Sequence, residues 1–300
     1  MRNNTNLAEA NKVKNDEFYT KLTDIEKELM HYKEMFVGKT IYCNCDDPVR
    51  SNFVQWFYMR FDILHLKRII VTSYNSATCN GGGDYWDSDF ASVDPKSFDI
   101  SKEIEKDVRK LNGDGDFRSD ECIELLKQAD IVVTNPPFSL FREYVKVLMD
   151  NNKDFVILGN MNAITYKEVF PYIKENRIRL GFTNGAKSFI IPNGEEKTVN
   201  ICWYTTFPIS KHNEELILFR KYTPEEYPKY DNYDAINVDK LCDIPEDYDG
   251  VMGVPISFLD KYNPKQFQII GNEYSLNIDR GRGYVSGKRM YSRIFIKKIE

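Results

Sequence analysis

Residues 129–138 read ADIVVTNPPF, and no other stretch narrows the possible folds as far. Ile131, Val132 and Val133 are contiguous and β-branched, where a strand with one wet face would alternate apolar with polar residues. The run therefore reads as a strand covered on both faces, the kind found in parallel sheets flanked by helices. It stops at Asn135, because Pro136 and Pro137 have no N–H to continue a ladder and hold the backbone near one φ. A helix follows. The turn falls at the carboxyl end of its strand, which is where open α/β sheets bind their ligands.

The flanking sequence supplies the rest of such a sheet. Leu22, Ile25, Leu29, Tyr32, Met35 and Phe36 recur at helical spacing and predict an amphipathic helix over 22–36. Strands are expected over 40–44, 67–74, 130–134 and 155–159, with helices over 48–61, 119–128, 140–149 and 165–175. Strands separated by helices of this length imply right-handed βαβ units, so the fold class is α/β with a mostly parallel sheet. From Arg179 the segments RLGF, KSFIIP and VNICWYTTF read as consecutive strands forming an antiparallel edge. After Leu218, Tyr, Pro, Asp and Gly accumulate, which puts a domain change between 210 and 225. The first fifteen residues are polar and aperiodic and read as a mobile arm. A Gly- and Asp-rich stretch, 75–97, reads as a surface loop with NGGGD at 80–84 as its flexible tip. No Gly-Lys-Ser/Thr follows those glycines, so they do not form a phosphate loop.

Composition enters mainly as exclusions. Apolar residues make up 42% and charged residues 29% of the 300, which rules out a disordered chain, a collagen or a coiled coil. No apolar run approaches the roughly 18 residues of a membrane helix, and the polar N-terminus lacks a secretory signal, so a cytoplasmic protein is expected. The six cysteines and three histidines are scattered without metal-ligand spacing, so neither zinc nor disulfide chemistry is expected. Formal net charge is −5, yet from Lys261 to Glu300 nine Lys/Arg face three Asp/Glu. Such asymmetry fits a polyanion-facing surface on an acidic body, with a solvated basic tail as the ordinary alternative.

The Asn-Pro-Pro-aromatic turn is well suited to methylating an amino group conjugated to a ring or carbonyl. Such a nitrogen is a poor nucleophile because its lone pair is delocalised. If the Asn135 side-chain oxygen and the Pro136 carbonyl each accept one N–H, the lone pair is pushed toward a methyl donor. The prolines pre-aim both acceptors, and Phe138 suits stacking on a flat base delivered from a duplex. The structural alternative is a strand-ending turn with a buried Phe138. The companions sit where a cofactor would need them. Asp46 and Asp47, after the first strand, suit the ammonium of a methionine moiety, although Asp47 also suits a plain helix cap before Pro48. Asp116-Phe117 suits adenine, the acid accepting from its amino group and the ring stacking; a turn Asp with a core Phe is the alternative. Asp16-Glu-Phe-Tyr-Thr20 precedes the first helix and suits closure over the donor, or capping.

The ordered motifs DEFYT, CNCDDP, GDGDFR and ADIVVTNPPF resemble those of the N6-adenine DNA methyltransferases. The likeness continues through FREY, ITYKEVF, LFRKY, YPKYDNYDAINV and DYDGVMGVPISFL, spanning about Asp16 to Ile296. It implies a Rossmann-like S-adenosylmethionine domain over 16–215 and a smaller target-recognition region over 216–300. It implies Asn135, Pro136, Pro137 and Phe138 as the catalytic loop, with Phe18, Tyr19, Thr20, Asn44, Asp46, Asp47, Asp116 and Phe117 around the methyl donor. It also implies a monomer acting on double-stranded DNA within a type II restriction-modification system. Two features depart from common methyltransferase patterns: the first strand's turn has no glycine-rich loop, and the second strand ends in Thr72-Ser73-Tyr74 without an acid for the ribose.

The expected reaction is therefore methyl transfer from S-adenosylmethionine to the exocyclic amine of a flipped adenine. Lys261, Arg280, Arg282, Lys288, Arg289 and Arg293 are candidates for phosphate and base contacts. Methylation of RNA adenine or of a protein glutamine amide is the enzymatic alternative. A silent DNA-binding module of the same fold is the non-enzymatic one.

Overall fold

The computed structural model describes residues 20–75, 82–89, 100–190, 196–278 and 281–299. The expected arm over 1–15, Asp16, Phe18, Tyr19, Arg280 and most of the 75–97 loop lie outside the described residues. The chain forms two compact units: residues up to Met161 with Thr183–Phe207, and Asn162–Phe182 with the chain from Pro208 onward. These units and the compositional boundary near 216 do not coincide. A composition shift reports only where the chain changes character, not which earlier segment it folds back to join.

The first unit is built on the expected sheet. β1 (Thr40–Cys43), β2 (Arg68–Thr72), β5 (Ile131–Thr134) and β6 (Asp154–Asn160) run parallel. β3 (Asp84–Ser88) and β4 (Arg109–Lys110) add antiparallel strands beyond β2. On the other side β9 (Glu196–Thr205) runs antiparallel to β6 and to β8 (Gly185–Ile190). The order β4-β3-β2-β1-β5-β6-β9 makes β1 the turning point: the chain steps from β1 to β2, then returns to lay β5 on the other flank. Tyr42, Ile70, Val132 and Ile157 are fully buried in this sheet, each contributing about 2 kcal/mol by leaving water.

Helices flank the sheet. α1 (Leu22–Leu29) buries Ile25 and Leu29, and helical geometry tightens over Met30–Tyr32 before α2 (Lys33–Phe36). α3 (Asn52–Met59), α4 (Ile100–Asp107), α5 (Asp120–Gln128) and α6 (Phe141–Asp150) complete the unit. α3 begins four residues later than Pro48. Asp47 does cap, but it caps the preceding turn, accepting from Val49 N at 2.9 Å and Arg50 N at 3.0 Å. Ser51, held extended, is the cap of α3 and accepts from Phe53 N at 3.1 Å.

The 75–97 stretch is not loop throughout. Asp84–Ser88 is β3, with Trp86 opposite Val71 and only 3% exposed. Gly82 and Gly83 are not a flexible tip either: Gly83 exchanges backbone hydrogen bonds with Gly113 and Leu111 at 2.9 and 2.8 Å. A Cβ on Gly83 would lie 2.5 Å from the Ser73 carbonyl oxygen, so these glycines serve close approach of backbone to backbone.

The second unit contains α7 (Phe170–Lys174), shorter than the expected 165–175 helix because Met161–Thr165 forms a separate tight turn. β7 (Arg179–Leu180) follows in the same unit. Its sheet runs β10 (Ile236–Asn237), β11 (Met252–Pro255), β15 (Arg293–Lys298), β12 (Phe267–Asn272), with β10 parallel to β11 and the rest antiparallel. Met252, Val254, Phe258, Phe267, Ile294 and Phe295 form its core. β13 (Tyr284–Val285) and β14 (Lys288–Arg289) make a separate hairpin.

Candidate active site

β1 is where the strand order turns back, and open α/β sheets bind their ligands outside the carboxyl ends of the strands at such a point, here those of β1 and β5. Asp46 holds the two loops together. Its Oδ1 accepts from Ser51 Oγ at 2.6 Å and its Oδ2 from Thr134 Oγ1, while its own N–H donates to the Thr72 carbonyl at 3.2 Å. One carboxylate thus joins the turn after β1, the cap of α3 and the last residue of β5. Burial pushes this carboxyl up to about 6, partly offset by hydrogen bonds from the Ser51 and Thr134 hydroxyls. Beside it Asn44, 2% exposed, accepts from the Tyr144 hydroxyl of α6.

The catalytic-loop candidates start one residue beyond Thr134. The Asn135 Oδ1 is buried, and so is Pro136. Pro137 is extended, and its carbonyl accepts from Leu140 N at 3.0 Å, closing a single turn over Phe138–Leu140 that leads into α6. Phe138 is half-buried. The rigid backbone expected from two prolines is therefore anchored at both ends, by β5 and by α6.

Acids approach the end of β2 from another part of the chain. Segment 111–115 is stitched to the chain that follows β2: Asn75 N donates to the Asp114 carbonyl at 2.7 Å, and Gly83 N to the Gly113 carbonyl at 2.9 Å. Gly115 has φ +83°, and a Cβ there would run into the Ser73 carbonyl oxygen, so only glycine fits. This brings Asp114 and Asp116 close enough to Tyr74 that their charge adds to burial in raising the phenol's proton affinity. Asp116 is held below the ordinary carboxylate range by hydrogen bonds from Arg118, whose Nε and Nη2 lie at 2.9 and 2.6 Å. Phe117 is 4% exposed and packs edge-on against Tyr144, ring centroids 5.0 Å apart.

Thr20 stands at the entrance to α1 and is 4% exposed. Its carbonyl accepts from Asn52 Nδ2, in the first turn of α3, at 2.8 Å. Its hydroxyl is buried and has no hydrogen-bond partner among the described residues.

Thr20, Asn44, Asp46, Asp116, Phe117 and the 135–138 turn are thus gathered along the carboxyl ends of β1, β2 and β5. Asp47 is at the same end, but its side chain is committed to the 48–51 turn. Ser51, Thr134, Tyr144 and Asp114 belong to this constellation too; the last three lie inside the quoted motifs ADIVVTNPPF, FREY and GDGDFR without a role assigned to them there, and Ser51 lies in none. A cavity of about 1010 Å³ lined by Tyr58, Arg68, Trp86 and Asp87 lies at the opposite, amino end of β2. Arg68 and Arg109 both pair with Asp87 there.

The basic candidates lie in the second unit and do not behave alike. Lys261, Lys288 and Arg289 are exposed. Arg282 donates to Ser292 Oγ at 2.6 Å. Arg293 is only 7% exposed, reaching Asn237 Oδ1 and Asp239 Oδ1 at 3.4 Å, while its N–H donates to Glu273 at 2.9 Å. It is a core side chain. Among the described residues no His, Cys, Asp and Glu cluster could hold a metal, and no helix is long and apolar enough to cross a membrane.

Comparison with known proteins agrees with this geometry. The family described as adenine-specific methyltransferase EcoRI matches residues 6–298. The type II methyltransferase M.EcoRI of Escherichia coli is 46% identical, over 99% of this chain and 98% of its own. A type II methyltransferase of Mycoplasma genitalium is 39% identical, and M.MpnI of Mycoplasma pneumoniae 37%, each over 96% of this chain and 97% of its own. With the strand-end turn, the acids around it and a match running nearly end to end, the chain belongs to the EcoRI family of adenine-specific methyltransferases.

Proposed function

We propose that this chain methylates the N6 amine of a flipped adenine in double-stranded DNA, as the modification enzyme of a type II restriction-modification system. The observation that carries this is the join at Asp46: one carboxylate ties the turn after β1 to Thr134, the residue immediately before Asn135. The acidic, cofactor-facing side and the amide-orienting turn are thereby one rigid assembly.

S-adenosylmethionine, when bound, supplies a methyl group on a positively charged sulfur. The chain's residues fit it. The buried Thr20 hydroxyl has no partner among the described residues; in this reading Asp46 offers a carboxylate to the ammonium, and Asp114 and Asp116 are the acceptors for the ribose hydroxyls and the ring amine. Phe117 supplies an aromatic edge or face. In this reading Asn135 Oδ1 and the Pro136 carbonyl each accept an N–H of the target amine, orienting its lone pair without any proton having to be stored on a side chain. Phe138 stacks on the extruded base, offsetting the few kcal/mol of unstacking. The second unit reads the target, and the protein works in the cytoplasm as a monomer.

The test is to incubate the purified protein with unmethylated genomic DNA and S-adenosylmethionine and to quantify N6-methyldeoxyadenosine by mass spectrometry. Its appearance supports the reading, and long-read sequencing of the same DNA then yields the target. Its absence, with cofactor binding established calorimetrically, overturns the DNA assignment and directs the search to RNA adenine or glutamine amides.

A further inference from the structure

The β13–β14 hairpin is held by its neighbours with unusual completeness. Ser286 and Gly287 form the turn, both with positive φ (50° and 72°), the geometry that matches the twist of two paired strands. Ser286 N and Gly287 N donate to the two carboxylate oxygens of Asp231 at 3.1 and 2.7 Å. Asp231 N in turn donates to the Tyr284 carbonyl at 2.8 Å. Asn232 bridges the root: its Nδ2 donates to the Arg282 carbonyl at 2.9 Å and its Oδ1 accepts from Tyr284 N at 3.1 Å. Gly283 lies flat on the Tyr230 ring, a Cβ there falling 2.5 Å from it, and Met290 N closes onto the Gly283 carbonyl at 2.9 Å.

A surface hairpin of two-residue strands has little stability of its own; here Val285 and Met290 pack against the core around Tyr230 and Phe295, and the clamps fix the turn that projects from it. What it presents outward is charge. Lys288 and Arg289 are exposed, neither forms an ion pair among the described residues, and Tyr291 beside them is 86% exposed. The hairpin is the rigid part of the basic C-terminal stretch, whereas Arg293 is spent in the core.

Resting on the DNA-methyltransferase reading, we propose that the Tyr284–Arg289 hairpin is the groove-entering element of target recognition, with Asp231 and Asn232 as its positioning residues. A two-stranded ribbon fits the major groove of B-form DNA, about 12 Å wide, and a preformed ribbon enters without further ordering. The deep, narrow major groove of A-form RNA does not admit it.

The test uses the full chain and duplex DNA carrying the target found by sequencing. For Lys288→Ala/Arg289→Ala, anisotropy across a potassium chloride series should show affinity down about tenfold or more, with the salt slope reduced by about 2. Calorimetric affinity for S-adenosylmethionine should be unchanged. Asp231→Ala removes a negative charge, so non-specific DNA binding should hold or tighten. The loosened hairpin should nonetheless lower the ratio of kcat/KM for the target over a duplex altered by one base pair, by about tenfold. Asp231→Asn, which keeps an acceptor, should recover part of that ratio. A merely structural role would lower both together. If the parent leaves DNA unmethylated, the enzyme reading falls and this one with it. If the parent methylates DNA and the exposed-residue variant keeps its salt slope and discrimination, the hairpin assignment alone is refuted. Equal loss of affinity for an A-form RNA duplex would also overturn it.

Discussion

Burial works against the negative charge of Asp46, and this gives a measurable signature. Its carboxyl is pushed from an ordinary 3.8 up to about 6, so between those values the folded protein holds a proton that the unfolded chain releases. The group's contribution to stability is therefore fully present below pH 4 and is lost as pH rises through 6. At pH 8 the ionised form costs about 3 kcal/mol relative to its protonated form in the same place. Asp46→Asn removes the charge while its amide can still bond both hydroxyls, accepting from one and donating to the other, because Ser51 and Thr134 can rotate theirs. The variant should be more stable than the parent at pH 8 by up to about 3 kcal/mol, the difference vanishing near pH 4. Urea denaturation of both proteins at the two pH values measures this, and taking the difference cancels the other titrating groups. The same variant should bind S-adenosylmethionine about thirtyfold or more weakly at pH 8, since the ammonium loses its counter-charge. A variant that is less stable at pH 8, or that binds the cofactor like the parent, would refute the claim that the charge is kept for the ligand.

Other substitutions probe the remaining parts. Asn135→Ala should lower kcat by about a hundredfold or more in a methyl-transfer assay while calorimetry finds cofactor affinity unchanged. Phe138→Ala should alter the fluorescence of 2-aminopurine placed at the target base while leaving duplex affinity nearly as it was; unchanged fluorescence removes the stacking role. Gly115→Ala forces a Cβ against the Ser73 carbonyl at positive φ and should cost about 2 kcal/mol or more in denaturation. His212 is 6% exposed and its pKa is lowered to about 4, by burial first and then by Lys211 and Arg179. The folded state therefore loses stability as pH falls from 6.5 toward 4, and His212→Phe should relieve up to about 2 kcal/mol of that loss at pH 5. Equal acid sensitivity of parent and variant in thermal melts would count against it.

The legible parts of this fold are those whose cause is local. ADIVVTNPPF announces both a doubly covered strand and its end because the β-branched run and the prolines sit in one decapeptide. β3 is hidden because Trp86 gains its reason for being extended only from Val71 across the ladder. Asp46 is legible as an acid after a strand, but its partner Thr134 lies 88 residues away, and Tyr144 lies 100 from Asn44. Hydrogen bonds at that separation leave no periodicity to read. Asp47 is recognisable as a cap, yet two turns in tandem look like one helix until Ser51 is seen to start the second. Among the basic residues, sequence cannot tell which face a strand position takes, so Arg293 and Arg289 look equivalent in it.

The stitching of 111–115 to both ends of the 76–81 interval separates two jobs that a loop usually combines. Asn75 and Gly83 are each pinned to that segment by main-chain hydrogen bonds, so the span between them is not what aligns the acids. Lengthening such a closed span is cheap, about 0.6 kcal/mol per doubling. Residues inserted between those two anchors should therefore leave the acids in register.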